Sequence, residues 1–348
     1  MNTQVILTIS MDPNEQKSFE ERLKRIADAG IINLRINIKR SNQIYLEQIK
    51  KTLDIVKNIY FNRNYNLFLD IPFPGEKCRI IDINTSKKQF NVDDKIYVVW
   101  KKNIIKNDYD YVIIEKYFYK YLKQSINKCV FIGDGESRLI IREDLKGIYF
   151  EPIDNINLYI NKSITIPNCN YKTRGINSFF DEVNYIIDTN PVKCIFLSFV
   201  NVSEDVNYFR KKLRSNSVQV ISKIESSQSL INIYDIIEAS DGLMIARGDL
   251  ALNVDIMKLF SIQNYLVGAV HTMNKKLVIA TDILNTYIFR DIPSRSDIID
   301  FCVMCGYHPT AIVLKGAFQH IDNMEKVLQI KKWINSYNGC NSKRGKIY

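Results

Sequence analysis

The feature that most constrains the fold is a repeated alternation of short apolar segments with longer amphipathic ones. Eight apolar segments rich in β-branched side chains, as buried strands are, lie at residues 5–10, 32–38, 67–71, 193–199, 218–224, 242–246, 277–281 and 311–314. Most of the intervals between them have helical periodicity, and strands that alternate with helices form parallel sheets. Eight such units fit a closed barrel, so we expect an α/β fold of the (β/α)8, or TIM, barrel type.

The alternation is interrupted after the third strand. From residue 74 to residue 165, short strand-like pieces are separated by Asn, Asp and Gly, with little helical periodicity. This predicts a small, β-rich, barrel-like domain inserted into the larger one. The expected division is a barrel formed by residues 1–73 and 166–340, with an insert at 74–165.

Composition limits the classes of protein to which the chain can belong. Of 348 residues, 46% are hydrophobic and 25% charged, as in ordinary soluble globular proteins, and no apolar run reaches the length of a membrane span. The net charge of +10 favours anionic, phosphorylated substrates over nucleic acid, because the lysines are dispersed and do not alternate with aromatic residues. Seven scattered cysteines and a start without signal-peptide character predict a cytoplasmic protein with reduced thiols.

Two neighbouring predicted strands end in charged residues. Lys223 and Glu225 lie at the end of segment 218–224, on one face because side chains alternate along a strand. The next strand ends in Arg247, Gly248 and Asp249. The C-terminal ends of barrel strands carry the chemistry in this fold, so the set favours a functional site. The alternative is that these charges only pair with one another at the strand rim.

Other predicted strands add polar residues at the same end. Strand two places Arg35, Asn37 and Lys39 on one face, strand three ends near Asp70, and strand seven ends at Thr281. These residue types suit phosphoryl transfer, in which cations such as Lys223 and Arg35 stabilise charge on the phosphoryl oxygens.

The same pattern predicts further binding roles. Glu225 and Asp249 supply the hard oxygen ligands that a divalent cation takes. The amides of Gly248 and Asp249, which open a helical segment, can bind a carboxylate. Thr281 can order that carboxylate or relay a proton.

Several motifs resemble those of the pyruvate kinase family. They are Ser222-Lys223-Ile224-Glu225, Ala246-Arg247-Gly248-Asp249-Leu250, Ala280-Thr281-Asp282-Ile283-Leu284, Pro293-Ser294-Arg295, Leu34-Arg35-Ile36-Asn37, Leu69-Asp70 and Gly133-Asp134-Gly135. The resemblance covers nearly the whole chain. It implies a glycolytic, metal-dependent kinase that moves a phosphoryl group between phosphoenolpyruvate and ADP, giving pyruvate and ATP.

The resemblance also implies a role for each matching residue. Lys223, Arg35 and Thr281 would be catalytic, and Glu225 and Asp249 would bind Mg²⁺ or Mn²⁺. The substrate would contact Arg247, Gly248, Asp249 and Thr281. The nucleotide would contact Asn37 and, in a mobile lid formed by the insert, Asp134 and Lys162.

The chain also departs from the family pattern. Of the monovalent-cation site, Asn37 and Asp70 remain, but Lys39 and Ile71 occupy a serine and a threonine position. An ammonium at Lys39 could therefore replace potassium, or Lys39 could simply extend into solvent.

Only one predicted helix and a short tail follow strand eight, so no C-terminal regulatory domain is expected. In the family that this chain resembles, that domain carries effector binding and part of the tetramer contact, so the resemblance implies no sugar-phosphate activation here and a smaller oligomer, such as a homodimer. Asp282 replaces a glutamine beside the catalytic threonine, and Lys315 to Phe318 replace a Ser-Gly-Glu-Thr motif.

These departures leave alternative functions open. One is the same chemistry on a different enol or carboxylate substrate in a specialised pathway. Another is a catalytically poor protein that binds nucleotide or phosphoenolpyruvate in a regulatory role. The retention of Lys223, Glu225, Asp249, Arg35 and Thr281 favours the enzyme.

Overall fold

The computed structural model describes residues 3–11, 15–38, 43–75, 77–102, 108–169, 176–320 and 323–342. The chain begins with three strands and two helices in alternation: β1 (Gln4–Thr8), α1 (Gln16–Asp28), β2 (Asn33–Asn37), α2 (Gln43–Ile59) and β3 (Asn66–Ile71). Helix α1 buries Phe19, Leu23 and Ile26, whose spacing puts them on one face. The helix ends before Gly30, which has a φ of 65° in the left-handed region where glycine is not strained.

The next part of the chain is mostly β structure. Its elements are β4 (Cys78–Arg79), β5 (Asp82–Asn84), β6 (Ile96–Val99), β7 (Tyr111–Ile113), α3 (Lys116–Lys123), β8 (Cys129–Ile132), β9 (Ser137–Asp144), β10 (Gly147–Pro152) and β11 (Ser163–Thr165). The eight strands form one sheet in the order β4-β11-β8-β9-β10-β6-β7-β5. Neighbours are antiparallel except β6 and β7, and Ile96, Phe118, Leu139 and Phe150 are part of its buried core.

The alternation of helices and strands then resumes. The elements are α4 (Ile176–Thr189), β12 (Val192–Leu197), α5 (Ser203–Lys212), β13 (Gln219–Ile224), α6 (Ser227–Ile231), α7 (Ile233–Ala239), β14 (Gly242–Ala246), α8 (Arg247–Asn253), α9 (Leu259–Thr272), β15 (Lys276–Ala280), α10 (Arg295–Gly306), β16 (Ala311–Leu314) and α11 (Met324–Ser342). Within the described residues, 3₁₀ turns lie at Ile256–Lys258, Thr286–Ile288 and Gly316–Gln319.

Eight parallel strands close into a barrel, which confirms the predicted fold class. Their order around the barrel is β1-β16-β15-β14-β13-β12-β3-β2, so the first strand pairs with both the second and the last. Side chains such as Ile6, Phe68, Phe196, Met244 and Val278 fill the interior. The barrel is therefore packed through its centre, and the loops after its strands remain for function.

The chain divides into two compact units. One comprises residues 1–74, 173–247 and 259–348 and contains the closed barrel; the other comprises residues 75–172 and 248–258 and contains the eight-stranded sheet. The segment after β14 thus groups with the inserted sequence. Within the described residues, no helix is long and apolar enough to cross a membrane.

Candidate active site

Two cations and two carboxylates from three barrel strands form a continuous network at the C-terminal strand ends. Arg35 of β2 donates to Oδ2 of Asp70 from Nη2 at 2.5 Å and from Nε at 3.1 Å. Lys223 of β13 donates to Oδ1 of Asp70 at 3.2 Å and forms an ion pair with Oε1 of Glu225 at 3.0 Å. The register of the barrel explains this grouping, because Asn37 of β2 lies beside Asp70 of β3 and consecutive strands end at a similar level.

The network is buried, and this makes its internal pairing important. Glu225 is 0% exposed, Asp70 6% and Lys223 8%. Burial alone would raise the pKa of Asp70, but the charges of Lys223 and Arg35 and their hydrogen bonds hold that pKa below its ordinary value. Asp70 is therefore ionised at neutral pH and balances two cations.

Two hydroxyl groups fix the cations of this network. Thr8, the last residue of β1, accepts a hydrogen bond from Nη1 of Arg35 at 2.9 Å. Ser198, directly after β12, accepts one from Lys223 at 3.1 Å and donates to Asp70 at 3.3 Å. Neither residue was predicted from the sequence. The available signal was position alone, since each lies at the C-terminal end of a predicted barrel strand.

A strained turn orients Glu225. Phe199 has a φ of 56°, which is unusual for a bulky residue, and its backbone N–H donates to Oε2 of Glu225 at 2.7 Å. The side-chain amide of Asn201 donates to the Phe199 carbonyl at 2.9 Å, and Ser226 donates to Asn201 at 2.5 Å. The loop after β12 therefore fixes the carboxylate through its backbone, while Ser198 in the same loop contacts Lys223.

Arg247 and Thr281 are brought together at the ends of β14 and β15. The Arg247 guanidinium donates to the Thr281 carbonyl from Nε at 3.2 Å and from Nη2 at 2.9 Å, and Nη2 also reaches the Asp282 carbonyl at 2.9 Å. Nη1 pairs with Oδ1 of Asp300 on α10 at 2.7 Å. Arg247 is buried, whereas the Thr281 side chain is exposed at the rim.

Four of the predicted substrate and nucleotide residues, Gly248, Asp249, Asp134 and Lys162, lie in the second unit. Asp249, in the first turn of α8, pairs with Lys77 at 2.6 Å, and Gly248 precedes it in the chain. Asp134 is exposed between Gly133 and Gly135, whose φ values of 65° and 91° define a tight turn. Lys162 forms an ion pair with Glu136.

The predicted monovalent-cation residues are only partly grouped. Asn37 is exposed at the end of β2, beside Asp70 in the register of β2 and β3. Ile71 is buried and has a hydrocarbon side chain where an oxygen ligand would be needed. Lys39 lies outside the described residues, so its proposed role as a replacement for potassium stays a prediction.

The carboxylates are of the chemical type that a divalent cation requires. In the described part of the chain, no group of three or more His, Cys, Asp or Glu side chains is arranged to hold a metal ion. Glu225 and Asp249 are hard oxygen donors, and each has a lysine partner in this structure.

The arrangement suits recognition of a phosphoryl group. The charges do pair with one another, as the structural alternative predicted, but they do so at the functional end of the barrel. Arg35 supplies a planar fork of donors, and Lys223 supplies an ammonium from the neighbouring side of Asp70. A phosphoryl group could accept hydrogen bonds from both cations by exchanging with the Asp70 carboxylate.

The fold and this rim define a (β/α)8 barrel protein with paired charges at the C-terminal ends of its strands, and comparison with known proteins identifies its family. The model of the pyruvate kinase barrel domain matches residues 1–316. The chain therefore belongs to the pyruvate kinase family.

Named relatives agree with this assignment. A pyruvate kinase of Thermococcus litoralis is 28% identical over 86% of this chain and 61% of its own length. A pyruvate kinase of Encephalitozoon cuniculi is 26% identical over 86% of this chain and 66% of its own. A pyruvate kinase of Mycoplasma pneumoniae is 24% identical over 84% of this chain and 59% of its own length. The chain thus spans about three fifths of the length of the curated relatives it matches.

Proposed function

We propose that this protein is a phosphotransferase of the pyruvate kinase type, which moves a phosphoryl group between phosphoenolpyruvate and a nucleoside diphosphate such as ADP. In the forward direction phosphoenolpyruvate, ADP and a proton give pyruvate and ATP. The observation that carries the proposal is the buried Arg35–Asp70–Lys223–Glu225 network at the C-terminal end of a barrel that belongs to this family.

Arg35 and Lys223 bind and stabilise the transferring group in this proposal. Negative charge on the phosphoryl oxygens must be balanced during transfer, and fixed cations in a site with little water do this effectively. Thr8 and Ser198 hold the two cations in place before substrate arrives. Little reorganisation is then needed at the moment of transfer.

Glu225 and Asp249 hold a Mg²⁺ or Mn²⁺ ion in this proposal. Such an ion supplies charge neutralisation at the phosphoryl and carboxylate oxygens of the substrates. Support comes from the chemistry of the donors and from their places in the chain: Glu225 directly follows β13, and Asp249 lies in the first turn of the helix that follows the neighbouring strand β14. The N–H of Phe199 fixes the orientation of Glu225 for this role.

The substrate carboxylate binds the amides of Gly248 and Asp249 together with Thr281, which also relays a proton to the enol carbon. Asn37, Asp134 and Lys162 contact the nucleotide, and the inserted unit acts as its lid. Potassium stays an open part of the proposal: the Ile71 side chain has no oxygen ligand, Asp70 already balances two cations, and the ammonium of Lys39 is the proposed replacement for the ion. The protein would act in the cytoplasm, as a small oligomer such as a homodimer.

The test is pyruvate release from phosphoenolpyruvate and ADP with Mg²⁺, with and without potassium. Lys223→Met should reduce kcat by at least about 100-fold, because it removes a preorganised cation from the transferring group. Lys193→Met is the matched control, since Lys193 is exposed near the N-terminal end of the adjacent strand β12. Unchanged turnover in Lys223→Met would contradict the assignment of the active site.

A second candidate function follows from the altered rim, where Asp282 is exposed beside Thr281. The same chemistry could act on a different enol or carboxylate acceptor. Metal-dependent phosphoenolpyruvate binding without pyruvate release would favour this candidate. Binding of nucleotide or phosphoenolpyruvate without turnover on any acceptor would favour the catalytically poor, regulatory alternative, and failure to bind either substrate would contradict both candidates.

A further inference from the structure

Arg247 is placed differently from a residue that contacts substrate. All its described hydrogen bonds go to the protein: two carbonyl oxygens, of Thr281 and Asp282, and the carboxylate of Asp300. Its side chain is only 9% exposed. The guanidinium therefore connects the end of β14 with the loop after β15 and with helix α10.

The loop that receives these hydrogen bonds has an unusual backbone. Thr281, Asp282 and Leu284 have φ values of 68°, 51° and 52°, all in the left-handed region. A β-branched residue such as Thr281 is strained there, and such conformations persist only where the surroundings hold them. The Thr281 carbonyl lies just beyond the last residue of β15, so it needs a hydrogen-bond donor from outside that strand.

We infer that Arg247 is a positioning residue, which holds Thr281 in its left-handed conformation rather than binding substrate. The fork of the guanidinium matches two successive carbonyls, and Asp300 fixes the opposite side of the fork. The backbone of Thr281 determines where its hydroxyl lies, and that hydroxyl now donates to the Ala280 carbonyl at 2.6 Å. Arg247 thus acts on the reaction through Thr281. This inference rests on the proposed function for the catalytic role of Thr281, whereas the backbone role stands independently.

Two independent measurements test the inference. The first is amide hydrogen exchange of the segment 281–285, compared between wild type, Arg247→Lys and Arg247→Ala. The second is a double-mutant cycle of kcat/KM with Thr281→Ala. The matched control is Arg210→Ala, because Arg210 also donates to a carbonyl, that of Ala239 at 3.1 Å, and to a carboxylate, that of Asp241 at 2.7 Å.

The expected result is faster exchange of segment 281–285 in both Arg247 variants and no change there in Arg210→Ala. Arg247→Lys should reduce kcat/KM by up to about 100-fold, as small misplacements of a reacting group do. In the Thr281→Ala background the same substitution should cause little further loss, since both act through one group. Arg247→Lys retains the positive charge beside Asp300 and serves if Arg247→Ala does not fold.

Two results would overturn the inference. Unchanged exchange of segment 281–285 in Arg247→Lys would show that the arginine does not hold this backbone. Additive losses in the double-mutant cycle would show that Arg247 acts on substrate separately from Thr281. If wild type releases no pyruvate, the proposed function fails, and hydrogen exchange alone decides the positioning role.

Discussion

At the scale of single residues, the most informative side chain is Lys223. An ammonium group has three N–H donors, and the Lys223 ammonium lies within 3.2 Å of three oxygens, from Asp70, Ser198 and Glu225. These acceptors come from the ends of three different strands. The position of the cation is therefore set by the closed barrel, and a substrate meets a charge that is already oriented.

Removing the Ser198 hydroxyl should misplace this charge without removing it. We expect Ser198→Ala to lower kcat by about 10-fold, since a buried hydrogen bond to a charged group contributes about 1.5–3 kcal/mol. Ser198→Thr, which keeps a hydroxyl, should retain more activity. Steady-state kinetics with phosphoenolpyruvate and ADP measure the effect, with Ser217→Ala at the exposed surface as control. A kcat equal to wild type in Ser198→Ala would refute this role.

The sequence predicted the charged residues of the site better than their partners. Lys223 and Glu225 could be found because a charge at the end of an apolar strand is rare and side-chain alternation assigns its face. Thr8 and Ser198 could not, because hydroxyls at strand ends are common and their partners lie on other strands. The same holds for Lys77, whose pairing with Asp249 no local pattern indicates.

At the scale of elements, β14 has a close backbone contact with β15. A Cβ atom on Gly242 would lie 2.2 Å from the Lys276 carbonyl oxygen and 2.9 Å from Cδ1 of Ile221. Such contacts do not occur in real structures, so the glycine permits the approach of these strands. Gly242 is the first residue of β14, and Arg247 directly follows the last. The close packing of β14 at Gly242 therefore helps to fix the position of Arg247 at the opposite end of the strand.

Gly242→Ala should therefore destabilise the barrel. We expect the free energy of unfolding to fall by about 1–3 kcal/mol or more, the usual range for overpacking. Gly268→Ala is a matched control, because Gly268 lies in α9 and an added Cβ would meet nothing within 4 Å. That control should be neutral or stabilising, as Gly to Ala changes in helices generally are. Urea denaturation measures both, and equal stabilities would contradict the packing argument.

Element prediction succeeded where periodicity was strong and failed where it was weak. The eight barrel strands were found because each is a short, predominantly apolar segment rich in β-branched side chains. Helix α3 was missed, since it has only eight residues and its buried side chains are Phe118 and Leu122. Two apolar positions in so short a segment do not separate a helix from a turn. The grouping of residues 248–258 with the inserted sequence is likewise a tertiary property.

At the scale of the whole molecule, the balance of charge makes buried carboxylates important. The chain carries a net charge of +10 at neutral pH, so protonation of carboxylates at lower pH adds to an existing excess of positive charge. Asp70 matters most in this respect, because it neutralises Arg35 and Lys223 inside the barrel and its pKa is lowered by them. Protonating Asp70 would leave the buried Lys223 and the partly buried Arg35 facing a neutral group.

The sign of the pH effect follows from the lowered pKa. The stability that ionised Asp70 contributes is complete above the pKa of an unfolded aspartate, about 4, and is lost as the pH falls through the lower pKa of the folded state. Below about pH 4 the wild-type free energy of unfolding should therefore decrease, by up to about 1.4 kcal/mol per pH unit for this one proton.

Asp70→Asn should be less stable than wild type at pH 7 and should lose less stability between pH 4 and pH 2. It lacks the carboxylate whose protonation causes part of the acid effect, while its amide keeps the shape of the side chain. Urea denaturation at several pH values measures the difference. Asp28→Asn is the control, because it removes an exposed ion pair with Arg63, and such pairs contribute little. If wild type and Asp70→Asn lose stability in parallel as the pH falls, the buried network does not keep Asp70 ionised, and the charge balance proposed for the site is wrong.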